Sequence, residues 1–457
     1  MATSPKRYAI VGTGSRADMY INALLTTHAD VGRPVALCDT NSVRMALYNT
    51  KITEHGQEAA ATYDAADFGR LLDEQRPDGV IVTSPDYTHS DYICAALDRD
   101  IDVISEKPMT TTADRIESIV ESVRRSKGTL VVTFNYRYSP RNSTLRQLIA
   151  EGAIGDVTSM HFEWVLDTSH GADYFRRWHR EKSNSGGLLV HKSTHHFDLI
   201  NWWLDDVPQT VFALGGLRFY GDKNAAERGL GARPLLSRDT DPATDPFHLD
   251  LAADDKLRRL YLDAEHVDGY HRDQDVFAPG ITIEDNLSLL VGFRGGPSLS
   301  YSLNAHAPWE GYRVGVNGTA GRLELEVIER SSVPAAAVRG SNADVAPVVD
   351  PSAQPDEATS GDEELRPVGA RILLQKHWES AVEVPIPEGA GSHGGGDAML
   401  LDDVFRGATE DPLRRAAGYL DGIRSVLVGV SGNQSLATGE PVHLSDFGLP
   451  LTEEEAV

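Results

Sequence analysis

The segment Gly12-Thr13-Gly14-Ser15-Arg16-Ala17 constrains this chain most, because of what flanks it. An apolar run at 8–11 leads in, and residues 18–27 follow with helical periodicity. Strand, glycine turn and helix in that order predict a βα unit whose turn can receive a phosphate. Gly12 permits the tight turn, Gly14 carries no side chain to block a pyrophosphate, and Ala17 lets the helix pack closely on the sheet. Ser15 and Arg16 complete the turn, where free N–H groups and the positive end of the helix dipole face the anion. A purely structural turn would use the same glycines, so the surrounding pattern has to decide.

That pattern repeats. Apolar runs at 35–38, 79–83, 101–105 and 129–134 alternate with helical stretches such as 92–97 and 113–126. The alternation predicts an α/β fold with a doubly wound parallel sheet, whose ligands bind at the carboxyl ends of the strands. Asp39 closes the second run, 27 residues after Gly12. A carboxylate there can meet the adenosine ribose hydroxyls and would repel a 2′-phosphate, which favours NAD over NADP. Arg44, a few residues on, leaves that choice open.

Composition narrows the partners. Sixty-eight acids against 43 bases give a formal charge of −25, which repels nucleic acid and anionic lipid. No run approaches the roughly 18 apolar residues of a membrane helix, and the N-terminus lacks a signal peptide's apolar core. The two cysteines, Cys38 and Cys94, lie in apolar runs and suggest neither a disulfide framework nor a thiolate metal site. The expectation is a soluble, cytoplasmic protein acting on a small molecule, with no nucleic-acid or membrane partner.

Three further segments are more specific: Thr83-Ser84-Pro85-Asp86-Tyr87-Thr88-His89, Ser105-Glu106-Lys107-Pro108-Met109, and Phe134-Asn135-Tyr136-Arg137-Tyr138-Ser139-Pro140. Together with the glycine turn they resemble the Gfo/Idh/MocA oxidoreductases. The resemblance implies a Rossmann domain over 1–137. It also implies an α+β domain over 138–457, with a large, open, mostly antiparallel sheet. It implies NAD as cofactor, Lys107 reaching the reacting hydroxyl, and Glu106 bonding the nicotinamide side. Ser84, Pro85, His89 and Asn135 would line the cofactor groove. It further implies a sugar or cyclitol substrate and a homo-dimer or homo-tetramer.

The segment 186–198 resembles the family's catalytic helix. His195 falls on the family histidine and Asp198 on the acid that follows it, whereas His191 replaces the usual Asp and Ser193 the usual Gly. At i and i+4 two imidazoles can share one helix face. In one reading His195 is the general base, its ordinary pKa of about 6.5 suiting proton transfer at neutral pH, while His191 orients substrate or relays the proton. In another, His191 and His195 hold a divalent metal with Glu163, His170 or His393. No metal is assigned. A helix face packed on the sheet would also account for His191 and His196. Substrate contacts are expected from Arg137, Tyr138, Trp178, His196, Asp198, Tyr312 and His393. His170, Tyr174, Arg176 and His179 cluster near Trp178 in sequence.

Two stretches read as insertions, 219–280 with a helix at 252–264, and 332–367. Residues 372–386 suggest two added strands, and 413–430 a final helix after Pro412. The leading expectation is an NAD-dependent oxidoreductase transferring hydride at a secondary hydroxyl of a sugar, glycoside or cyclitol. The alternative is a redox-neutral NAD-using lyase or glycosidase, metal-assisted or not, working through a keto-sugar.

Overall fold

The computed structural model describes residues 4–333, 366–387, 396–407 and 410–456. Each apolar run of the first third becomes a strand: β1 (Lys6–Val11), β2 (Gly32–Cys38), β3 (Ala61–Tyr63), β4 (Gly79–Val82), β5 (Asp102–Ser105) and β6 (Leu130–Val132). They pair in parallel in the order β3-β2-β1-β4-β5-β6. β4 is buried at every position because helices cover both faces. Val80 and Val82 join one apolar cluster and Ile81 the other. The chain reverses direction of winding between β1 and β4, which opens a crevice at their carboxyl ends. The short β3 goes unread in the sequence, being held by its pairing with β2.

The second sheet has nine strands in the order β14-β13-β12-β11-β7-β10-β9-β8-β15. Its central members are β7 (Val157–Asp167), β10 (Ser298–Ala307) and β11 (Glu310–Gly318), beside β9 (Asn286–Phe293) and β12 (Gly321–Arg330). Only the β7–β10 pairing is parallel. Alternation sends Met160, Phe162 and Trp164 of β7 inward and leaves His161 and Glu163 outside. The two strands expected at 372–386 are β13 (Gly369–Lys376) and β14 (Val382–Val384). β8 (Pro208–Gly216) and β15 (Val442–His443) are additional.

Helices Ser193–Leu204 and Tyr419–Thr438 cover the inner face. The second of these begins later than the sequence pattern suggests. Residues 413–418 form no helix: they start in a turn with Arg414 at φ +53°, and Ala417 O accepts from Val132 N at 3.1 Å and Leu413 O from Trp202 Nε1 at 2.7 Å. A Cβ on Gly429 would stand 2.5 Å from Leu189 O, and one on Gly422 would stand 2.9 Å from Met109 Sδ. These close approaches let one helix fix the Lys107–Met109 turn of the first sheet relative to the segment carrying His191.

The expected helix at 252–264 is broken into short turns, with Asp255–Leu260 followed by Glu265–Asp268. Leu257, Leu260 and Tyr261 pack with Tyr20, Met45 and Tyr48, so this insertion joins the core of the nucleotide-binding half. Residues 334–365 of the other insertion lie outside the described residues, as does His393. No described helix is long and apolar enough to cross a membrane.

Arg137 does not reach into an open cleft, as its position suggests it should. Its Nε and Nη2 donate to Asp198 at 2.8 and 2.6 Å, and Nη2 lies 3.0 Å from Asp421. Asp198 is therefore the partner of a buried ion pair and not a group facing ligand. Replacing Arg137 by Ala leaves two carboxylates uncompensated and should cost about 3–5 kcal/mol of unfolding free energy, read from urea denaturation.

Candidate active site

The crevice of the first sheet begins at Gly12, whose φ of +84° closes the turn after β1. A Cβ there would lie 2.5 Å from the Ser84 backbone, so only glycine lets the loops after β1 and β4 meet. Helix α1 (Ala17–Leu25) opens with Ala17 fully buried against the sheet. Thr13 N and Oγ1 donate to Asp39 Oδ2 at 2.5 and 2.8 Å. Asp39 Oδ1 accepts from Asn41 N at 2.8 Å and from Arg44 Nη2 at 3.0 Å. Ser15 N donates to the Tyr261 hydroxyl at 3.0 Å, and Ser15 Oγ lies 2.9 Å from it. Burial would raise Tyr261, but Arg177 and Arg272 draw its hydroxyl below the usual phenol range. Guanidinium groups and a backbone donor around one oxygen make this an environment for an anion.

At the end of β5 the Lys107–Pro108 peptide is cis. Lys107 Nζ donates to His191 O at 3.0 Å, joining the two halves of the molecule. Burial brings Lys107 down to about 8, although Asp86 opposes the shift. His191 Nδ1 lies 2.5 Å from Asp86 Oδ2. Burial pushes Asp86 well up and His191 well down, and the Lys107 charge adds to the latter. The His179 ring stands 4.1 Å from that of His191 and stacks on Trp178 at 3.7 Å. Tyr174 meets both imidazoles edge-on, while His195 lies flat on Tyr136 at 4.3 Å.

The structure thus brings Lys107, His191 and His195 to one end of the crevice, with Trp178 beside them. Half-buried Ser84 and Pro85 border the glycine turn. Several other expected site residues serve the fold instead. His89 is buried, its ring nitrogens each 2.8 Å from a carbonyl oxygen, of Ser84 and of Pro108, so it ties two loops together and does not line the groove. Glu106 Oε1 accepts from Arg16 Nε and Tyr20 Oη, both at 2.6 Å, which takes that oxygen away from a nicotinamide. Asn135 Nδ2 donates to Asp397 at 2.7 Å while its buried Oδ1 has no partner, and the Tyr138 hydroxyl is spent on Asp403 at 2.8 Å. His196 bonds Tyr301 at 2.7 Å and stacks on Trp164, so its face packs on the sheet. Tyr312 is buried on the other side of Trp164 and donates to Asn142 at 2.9 Å.

Of the further ligands expected beside His191 and His195, Glu163 and His170 are engaged or directed elsewhere, and His393 lies outside the described residues. Glu163 points out of the sheet, and His170 sits between Glu310 at 2.5 Å and Tyr174 at 3.1 Å. Among the described residues no group of three or more His, Cys, Asp or Glu could hold a metal ion. Asp86 escaped the sequence reading, although it stands in the quoted segment after β4, because nothing local pairs it with a residue 105 positions away. Tyr261 is 246 positions from Ser15 and gave no signal at all.

Comparison with known proteins identifies the family. Residues 6–134 match the family model described as "Oxidoreductase family, NAD-binding Rossmann fold", and residues 146–444 match "Oxidoreductase family, C-terminal alpha/beta domain". The chain belongs to the Gfo/Idh/MocA oxidoreductase family. YteT of Bacillus subtilis (strain 168), a protein named an oxidoreductase, is 35% identical over 464 residues, covering 97% of this chain and 98% of YteT. D-glucoside 3-dehydrogenase of Escherichia coli (strain K12) is 28% identical over 157 residues, which covers 34% of this chain and 42% of that protein. Among solved structures, levoglucosan dehydrogenase in complex with NADH and levoglucosan shares the fold at a TM-score of 0.61 and 15% identity, covering 96% of this chain and 99% of that one. Aldose-aldose oxidoreductase from Caulobacter crescentus does so at 0.60 and 16%, with the same coverage.

The Gfo/Idh/MocA crevice depends on its first glycine. Gly12→Ala should lose more than about 2 kcal/mol of stability and abolish dinucleotide binding, because Ala at this φ would also meet the Ser84 backbone. Thermal denaturation and a binding titration check both.

Proposed function

We propose that the protein is an NAD-dependent dehydrogenase acting on a secondary hydroxyl of a sugar, glycoside or cyclitol. The observation that carries this reading is the convergence of Lys107, His191 and His195 at the carboxyl end of a nucleotide-binding sheet. The names of relatives support the substrate class: inositol 2-dehydrogenase, levoglucosan dehydrogenase and D-glucoside 3-dehydrogenase all act on polyhydroxylated rings or glycosides.

The residues present fit the cofactor. The Gly12 turn is open only to glycine, and Asp39 offers a carboxylate of the sign that favours NAD. Bound NAD would supply a hydride acceptor for the carbinol carbon. Lys107 keeps its proton at neutral pH, and its ammonium stabilises negative charge developing on the substrate oxygen. His191 O holds that ammonium in place. His195 takes the hydroxyl proton, its ring plane set by stacking on Tyr136. His191 stays uncharged, its orientation fixed by Asp86. Half-buried Trp178 offers aromatic surface suited to the C–H face of a sugar ring.

Incubation with NAD⁺ and a panel of sugars, glycosides and cyclitols should produce NADH, followed by absorbance. Substrate consumption without NADH, or NAD⁺ binding with no turnover on any panel member, would sink the reading. Lys107→Met should lower kcat/KM about 10²–10⁴-fold while dinucleotide affinity changes little.

The pH profile follows from the same lysine. Its pKa is lowered to about 8, so the ammonium is present below that pH and lost above it. Oxidation rate should therefore fall on an alkaline limb near pH 8. In Lys107→Arg that limb should move above pH 10, since guanidinium keeps its proton.

A further inference from the structure

The insertion returns to the nucleotide crevice at a second place besides Tyr261. Arg44, in the first turn of helix α2 (Ser42–Glu54), gives its Nη2 to Asp39 Oδ1 at 3.0 Å and to Asp268 Oδ2 at 2.6 Å. Asp268 ends the short helix Glu265–Asp268, 224 positions away in sequence. The three side chains are only 10%, 7% and 14% exposed. Asp39 cannot turn away, because Thr13 and the Asn41 amide occupy its remaining lone pairs. Asp268 is seated too: its Oδ1 accepts from Tyr270 N at 3.2 Å, and Ala264 O, just before its helix, accepts from Asn41 Nδ2 at 3.0 Å.

We propose that Asp268 is a specificity-determining residue for the cofactor, holding Arg44 so that the ribose end of the site admits a 2′-hydroxyl and rejects a 2′-phosphate. The proposal rests on the reading of this crevice as a dinucleotide site. Position alone makes Arg44 a natural phosphate ligand, since a guanidinium fork next to Asp39 could take the extra phosphate of NADP. Two carboxylates against one guanidinium leave the corner net negative, and a phosphate carrying up to two charges would have to displace one of them. A ribose hydroxyl asks for less. It needs one carboxylate oxygen as acceptor, and Arg44 can release Asp39 Oδ1 while remaining paired with Asp268. The second carboxylate thus neutralises the Arg44 guanidinium that would welcome NADP, and keeps it paired when Asp39 Oδ1, without moving, accepts from the ribose instead.

The test is titration of the full-length protein with NAD⁺ and NADP⁺, read by calorimetry, for the wild type, Asp268→Asn, Asp268→Glu and the double variant Asp268→Asn with Arg44→Ala. Wild type should prefer NAD⁺. Asp268→Asn should tighten NADP⁺ about tenfold or more, changing NAD⁺ less than about threefold. The Arg44→Ala change should cancel that gain, and Asp268→Glu, which keeps the carboxylate, should retain the wild-type preference. An unchanged NADP⁺ affinity in Asp268→Asn would overturn the proposal. So would an equal loss of both nucleotides, which would mark the pair as a clasp for the insertion. A gain of NADP⁺ by Asp268→Glu would attribute the effect to loosening and overturn it as well. Failure of the wild type to bind either dinucleotide would instead overturn the reading of the crevice itself.

Discussion

One buried seam, the contact of Asp86 and Lys107 with His191, holds two sheets to a single chemistry. Asp86 and Lys107 stand after adjacent parallel strands, where the backbone has just left the sheet and side chains can face a ligand. His191 arrives from the other sheet and meets both, its ring on the carboxylate and its carbonyl on the ammonium. Buried charge is costly unless paired. The seam therefore tolerates no slack: moving either half would strand a carboxyl or an ammonium in an apolar setting. The helix Tyr419–Thr438 enforces that register through the glycines that let it lie against Met109 on one side and Leu189 on the other.

The same economy explains the lowered Lys107 and the uncharged His191. A crevice dry enough to strengthen an ammonium–alkoxide interaction also disfavours every charge placed in it. Asp86 works against the lowering of Lys107, and burial together with the Lys107 charge holds His191 down. The His191 imidazole is thus built into an acid–imidazole pair.

The insertion alters how the nucleotide half is read. By packing Leu257, Leu260 and Tyr261 against α1 and α2, it becomes part of that half's core. From there it places a phenol on the Ser15 amide and a carboxylate on Arg44. Both contacts fall on donors at the crevice, and both come from residues more than 200 positions away.

Local pattern was enough for the glycine turn and for the alternating strands and helices of the first third. Each is set by periodicity or by a backbone conformation that few residues can adopt, and those properties are local. Which polar residues face a ligand was not local. Arg137, Asp198, His89, Glu106, His196 and Tyr312 all look available in the sequence, yet each found a partner inside the fold, because a buried polar group must be satisfied by whatever tertiary packing brings near. Asp86, Tyr261 and Asp268 acquired their places for the same reason in reverse. Their partners lie a hundred or more residues off, and only the closed fold brings carboxylate, phenol and guanidinium within hydrogen-bonding distance.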